Sequence, residues 1–124
     1  MRQSFTIPGK LSSLNEYINE CRRNKFAGAE MKDSDQEIVE WAIRRTRVEP
    51  IQSRCRLLYE FFEPNMRRDL DNISGFAHKV IQDALVAEGI LRNDGWEHIS
   101  GYTDKFAVDN KNPRIVVTMI YKEA

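Results

Sequence analysis

The sequence predicts an α+β fold: a small mixed or antiparallel sheet of about four strands, with helices packed on one side of it. Three observations predict this. From Asn72 to Glu88 apolar residues recur at helical spacing. Arg54–Phe62 and Arg114–Tyr121 instead carry the short, apolar-rich patterns of strands. Two capping boxes, Ser13–Glu16 and Ser34–Glu37, open further helices.

Taken in order, the first strand is expected over Arg2–Ile7, where Phe5 and Ile7 alternate, closed by Pro8-Gly9. Ser13 then caps a helix whose stripe is Leu14, Tyr17, Ile18 and Cys21, ending in Arg22, Arg23 and Lys25 near Gly28. A second helix is expected from Ser34, with Ile38, Trp41, Ala42 and Ile43 inward and Pro50 beyond it. Arg54–Phe62 alternates, with Cys55, Leu57, Tyr59 and Phe61 on one face and Arg54, Arg56, Leu58 and Glu60 on the wetter one. In the long helix, Ile73, Phe76, Ala77, Val80, Ile81, Ala84 and Leu85 form the buried face, and Gly89 stops it. A strand from Trp96 to Tyr102 or beyond follows, then a polar turn at Asp109–Pro113. Arg114–Tyr121 is apolar on both faces, which suits a central strand.

The 124 residues suit a single domain over 1–124. With 19 basic and 19 acidic residues the formal charge is zero, whereas tight non-specific binding to nucleic acid usually needs a basic excess, so the balance argues against it. The charges are clustered, however. Arg44, Arg45, Arg47, Arg54 and Arg56 are opposed only by Glu49; Arg22, Arg23 and Lys25 form a second group and Arg67-Arg68 a third. Cations at a helix C-terminus offset its dipole, and the same side chains hold phosphates; both readings stand. Cys21 and Cys55 have no motif spacing and read as free buried thiols of an intracellular, cytoplasmic protein. No apolar run approaches a membrane span and no signal peptide is visible.

The candidate chemistry lies in Arg67-Arg68-Asp69-Leu70-Asp71-Asn72 and in Asn93-Asp94 past the long helix. Mg²⁺ prefers oxygen ligands and takes one or two carboxylates together with phosphate oxygens. Asp69, Asp71 and Asp94 are therefore candidate metal ligands, and Lys79, on one helical face with Asn72 and Asp83, is a candidate phosphate contact. The structural alternative is that Asp71 or Asn72 merely caps the helix and Lys79 pairs with Asp83. One helix needs one cap, so two acids at its start exceed that need. A helix over Asn72–Glu88 spans about 25 Å, and Glu88 to Asp94 covers at most about 20 Å. Asp94 thus meets Asp71 only along a taut return, or across two subunits. His78 is expected to pack at the edge of the apolar stripe, and His98 is a lesser candidate. No triad order, phosphate-cradling loop or zinc-ligand spacing is present.

At these residues the sequence resembles the RusA-like Holliday junction resolvases, a family often carried by prophages. The resemblance rests on Asp69-Leu70-Asp71-Asn72-Ile73, on Lys79 with Asp83-Ala84-Leu85, and on Gly89-Ile90-Leu91 and Asn93-Asp94, about the middle quarter of the chain; a weaker match covers the first strand and Ser13-Leu14-Asn15. It implies a small homodimeric, Mg²⁺-dependent endonuclease (Mn²⁺ substituting) that nicks four-way DNA junctions symmetrically. It also implies catalytic carboxylates at Asp69, Asp71 and Asp94 and an essential lysine at Lys79. The family lysine often follows the asparagine by three residues, which is Gly75 here, and the usual Asp-Asp pair is Asn93-Asp94.

The expectation is an endonuclease in which Asp69, Asp71 and Asp94 hold Mg²⁺ and Lys79 offsets transition-state charge. Arg67, Arg68, Arg22, Arg23, Lys25 and Asn72 would contact branched DNA. The runner-up is a non-catalytic DNA-binding recombination accessory protein; a phosphohydrolase acting on a small substrate is a weaker third.

Overall fold

The computed structural model describes residues 1–122. The sheet has four strands, β1 (Arg2–Pro8), β2 (Cys55–Glu63), β3 (Ile99–Val108) and β4 (Arg114–Tyr121), in the order β1-β4-β2-β3, and apolar residues alternate along β1 and β2. β4 lies between β1 and β2, antiparallel to both, which is why its residues are apolar on both faces. β2 and β3 run parallel, a pairing no hairpin can make, so the chain crosses over between them as a helix. The sheet is therefore mixed, and the fold is α+β.

Three helices cover one face: α1 (Leu14–Arg23), α2 (Ala27–Thr46) and α3 (Leu70–Ala87). Phe5, Ile7, Leu57, Tyr59, Phe61, Val117 and Met119 point from the sheet into the same core as Val80, Ile81, Ala84 and Leu85 of α3. α3 is the axis of that core: Ile73, Phe76, Ala77, Val80, Ile81, Ala84 and Leu85 are all buried. Each such large side chain contributes about 1.5–3 kcal/mol by leaving water. Gly89 follows with φ +74°, the left-handed turn that favours glycine, and Ile90 and Leu91 both donate backbone N–H groups to Leu85 O.

Several expectations are corrected. α2 begins at Ala27, two turns before the Ser34–Glu37 box, because Asn24 Oδ1 accepts from the backbone N–H groups of Phe26 and Ala27 at 2.9 Å. Asp35, inside the expected box, is buried within the helix, and its Oδ2 accepts from Ser12 N at 2.8 Å, tying α2 to the loop before α1. The longer helix turns Val39, Ala42 and Ile43 inward and leaves Ile38 and Trp41 exposed, with the Arg45 guanidinium 4.3 Å from the Trp41 ring centre. Cys55 is buried as expected, but Cys21 is exposed at the end of α1, where the missing side chain of Gly28 lets α2 pass close to its Sγ. β3 starts at Ile99 rather than Trp96 and runs to Val108. Among the described residues, no helix is long and apolar enough to cross a membrane.

Candidate functional site

α3 starts where β2 ends, so the residues linking them stand at one end of the sheet. Asp69 occupies the N-cap position in extended backbone (φ −66°, ψ 155°), and its backbone O accepts from Ile73 N at 3.1 Å. Its carboxylate makes no capping hydrogen bond. Asp71, in the first helical turn, is exposed. Both acids border one open depression with Leu14, Asn15 and Asn72. Among the described residues neither carboxylate has a hydrogen bond or an ion pair, although two arginines precede them in the chain. The N-terminal end of a helix dipole favours negative charge there.

The neighbours of the two aspartates are committed to the scaffold. Asn72 Oδ1 accepts from Asn15 N at 3.0 Å, docking the start of α1 on the start of α3. Tyr17 stacks on Phe76 at 4.2 Å, and Leu14 fills the space that Gly75 leaves open. Arg68, expected to face DNA, turns inward instead. It donates through Nε and Nη2 to both oxygens of buried Glu63 at 2.9 and 2.8 Å, and through Nη1 to Leu11 O. Its side chain is 15 % exposed and that of Glu63 6 %, so the pair is interior. Strand alternation carries the signal for this, since Glu63 follows Cys55, Leu57, Tyr59 and Phe61 on the inward face. Arg67 remains exposed beside Asp69.

The third carboxylate lies elsewhere in the chain. The backbone bonds to Leu85 and that from Ile51 N to Ile90 O pin the segment after Gly89 near the end of α3. Asp94 consequently returns only as far as Lys79, whose Nζ is 3.8 Å from Asp94 Oδ2 and 3.3 Å from Asp83 Oδ1. Lys79 is eight residues from Asp71, about 12 Å along the helix. Asp83 also accepts from Lys32 Nζ at 2.7 Å. Burial pushes its carboxyl up, but the bonds from Lys32 and Lys79 outweigh this and hold it below the usual carboxylate value. Asp69, Asp71 and Asp94 are thus not gathered within the chain. Among the described residues, no three His, Cys, Asp or Glu side chains stand close enough to share one metal ion.

Between the start of α3 and the outer strand β3 runs a cleft of about 580 Å³, with Met66, Leu70, Phe106 and Val108 as apolar walls and Asp69 and Asp104 among its polar groups. Asp104 Oδ1 is 2.8 Å from His78 Nε2, so His78 is more than packing: it ties α3 to β3. The His78 ring lies 4.4 Å from that of Tyr102 and 4.7 Å from that of Tyr59. Tyr59 accepts from Gln82 Nε2 at 3.1 Å, and burial pushes its hydroxyl well above the usual tyrosine value. The sequence carried no local signal for this pair, because His78 and Asp104 are 26 residues apart.

The remaining basic candidates sit at the end of α1. Arg22 and Arg23 occupy its last turn, Arg23 Nε lies 3.3 Å from Glu20 Oε2, and Lys25 Nζ is 5.0 Å from the Phe26 ring centre. All three are exposed. Compared with known protein families and with curated proteins, the chain matches none.

Proposed function

We propose that the chain is a metal-dependent, structure-selective endonuclease of the RusA-like Holliday junction resolvase type, acting as a homodimer on four-way DNA junctions. One observation carries this reading: Asp69 and Asp71 both stand at the start of α3 and border the same open depression, and neither carboxylate is spent on a cap or an ion pair among the described residues. An N-cap aspartate whose role is structural uses its side-chain oxygen on the helix N–H groups; Asp69 does not. Two hard, exposed carboxylates fit Mg²⁺, which keeps several waters and binds substrate phosphate as well. Once bound, such an ion lowers the pKa of a water and offsets charge on a phosphate.

The chain's own residues divide the rest of the work. Asn72 and Arg68 fix the start of α3 and so hold the backbone of the two aspartates. Lys79, about two turns along α3, and Asp94, past the end of that helix, form a second cluster and reach the aspartate pair from a second copy of the chain. A two-fold dimer would then carry two such composite sites, one for each strand of a symmetric junction. Arg67 and the basic end of α1 contact phosphates without reading bases.

The test is nicking of a labelled four-way junction in Mg²⁺ by the wild-type chain and by Asp71→Asn. Junction binding should persist while cleavage falls by on the order of a hundredfold or more, as for other lost transition-state interactions; unchanged cleavage would falsify the assignment. The separation of Asp94 from Asp69 and Asp71 within one protomer favours a second reading, a non-catalytic DNA-binding accessory protein. Calorimetric titration with Mn²⁺ separates the two: the nuclease binds the ion and Asp71→Asn loses it, whereas the accessory protein shows no heat at this site.

A further inference from the structure

The helices cover one face of the sheet; strand register defines what the other face carries. Arg2 and Arg56 both flank Ile120. In the next outward row Ser4 and Leu58 flank Thr118, and Leu58 pairs with Thr103. Thr6 and Glu60 then flank Val116, with Lys105 beside Glu60; Pro8 and Phe62 flank Arg114, with Ala107 beside Phe62. Among the described residues the strand positions of this face carry Arg2, Arg56, Lys105 and Arg114 against Glu60, with Asp109 beside Arg114, in a chain whose 19 basic and 19 acidic residues balance. Arg114 is held by Asp109 at 2.9 Å and lies over the Phe62 ring at 3.9 Å, which shields the one aromatic side chain present. Arg2, Arg56 and Lys105 are exposed.

We propose that this outward face holds a nucleic-acid backbone, with Arg2, Arg56 and Lys105 on phosphates and the hydroxyls of Ser4, Thr6 and Thr103 beside them. Guanidinium, ammonium and hydroxyl groups are the side chains that bind phosphate and sugar. Arg2 and Arg56 are two strands apart, about 10 Å, so they grip separate phosphates. A two-fold pairing of this face with itself would set its cations together, and its apolar residues are interrupted by hydroxyls and charge; both disfavour a second copy as the occupant. The face is also continuous with the candidate site, because Lys105 and Ala107 line the cleft that ends at Asp69. The choice of DNA as the polyanion rests on the nuclease reading; the pattern of charge and hydroxyls does not.

The experiment is equilibrium binding of a fluorescent four-way junction and of a linear duplex, without divalent metal, at several salt concentrations. Arg2→Glu/Arg56→Glu should bind both DNAs at least about tenfold more weakly, with a log–log salt slope shallower by roughly 0.9 for each phosphate no longer neutralised. Arg2→Gln/Arg56→Gln should show a smaller weakening in the same direction, and circular dichroism should show both variants folded. A folded Arg2→Glu/Arg56→Glu that binds as the wild type does overturns the proposal. So does sedimentation showing that the substitutions split a wild-type dimer, since the face would then be an interface between copies. Cleavage is not read, so a failed Asp71→Asn result and a failed binding result point to different errors.

Discussion

The two ends of α3 carry similar charged residues and use them differently. Toward its C-terminal end Asp83 lies between Lys32 and Lys79, Lys79 also faces Asp94, and Glu88 takes both Nε and Nη2 of Arg44. At its start Arg68 is tied to Glu63, while the carboxylates of Asp69 and Asp71 are bonded to nothing among the described residues. A carboxylate held by two ammoniums, as Asp83 is, has little to gain from a cation; Asp94, 3.8 Å from Lys79, is held more loosely. One left open beside a helix N-terminus keeps its oxygens for a ligand. Residue type therefore does not separate scaffold from candidate chemistry here; pairing does.

Breaking the one tied charge at the start of α3 should have the largest effect. Arg68→Ala strands the Glu63 carboxylate in the interior, and losing one partner of a buried pair costs about 3–5 kcal/mol. Urea denaturation should show it, and a loss under about 1 kcal/mol would mean that Glu63 finds water. Next comes the sharing of the site. If the site is shared as proposed, Asp71→Asn and Asp94→Asn chains, each inactive alone, should regain nicking when co-expressed, because one of the two composite sites in a mixed dimer would be whole, up to roughly half the wild-type rate per dimer. No recovery would confine the site to one protomer.

The smallest effect is expected at the paired end. Asp83→Asn should cost about 1 kcal/mol at neutral pH, as for a partly exposed ion pair. The Asp83 carboxyl is held below its usual value in the folded chain. Its contribution is therefore fully present above the unfolded carboxylate pKa, about 3.9, and is lost as the pH falls through the lower folded value. Denaturation curves of the wild type and Asp83→Asn should converge in strong acid; a gap that persists there would make the loss one of packing rather than charge.

Local pattern carried much of the architecture. Period-two alternation marked β1 and β2, a short run apolar on both faces marked β4, and the apolar stripe from Ile73 to Leu85 marked α3 and its buried face. The Ser13–Glu16 box is present with both of its hydrogen bonds. Where a second pattern competed, the sequence misled. Ser34–Glu37 has the composition of a cap, but the Asn24 side chain starts the helix earlier and Asp35 is used by Ser12.

What the sequence by itself determined is the α+β class, the helix around which the core is built, and the presence of two acids at that helix's start. The reason is that periodicity and capping act over a few residues and leave their mark in the order of the chain. Only the tertiary structure decided which charges are spent. Arg68 turns inward because β2 brings Glu63 beneath it, and Asp94 stops at Lys79 because Leu85 and Ile51 hold the loop. The parallel placement of β3 brings Asp104 to His78 and exposes a face of hydroxyls and cations. Those outcomes depend on partners far apart in the chain, and a carboxylate's chemistry follows from what lies next to it in space.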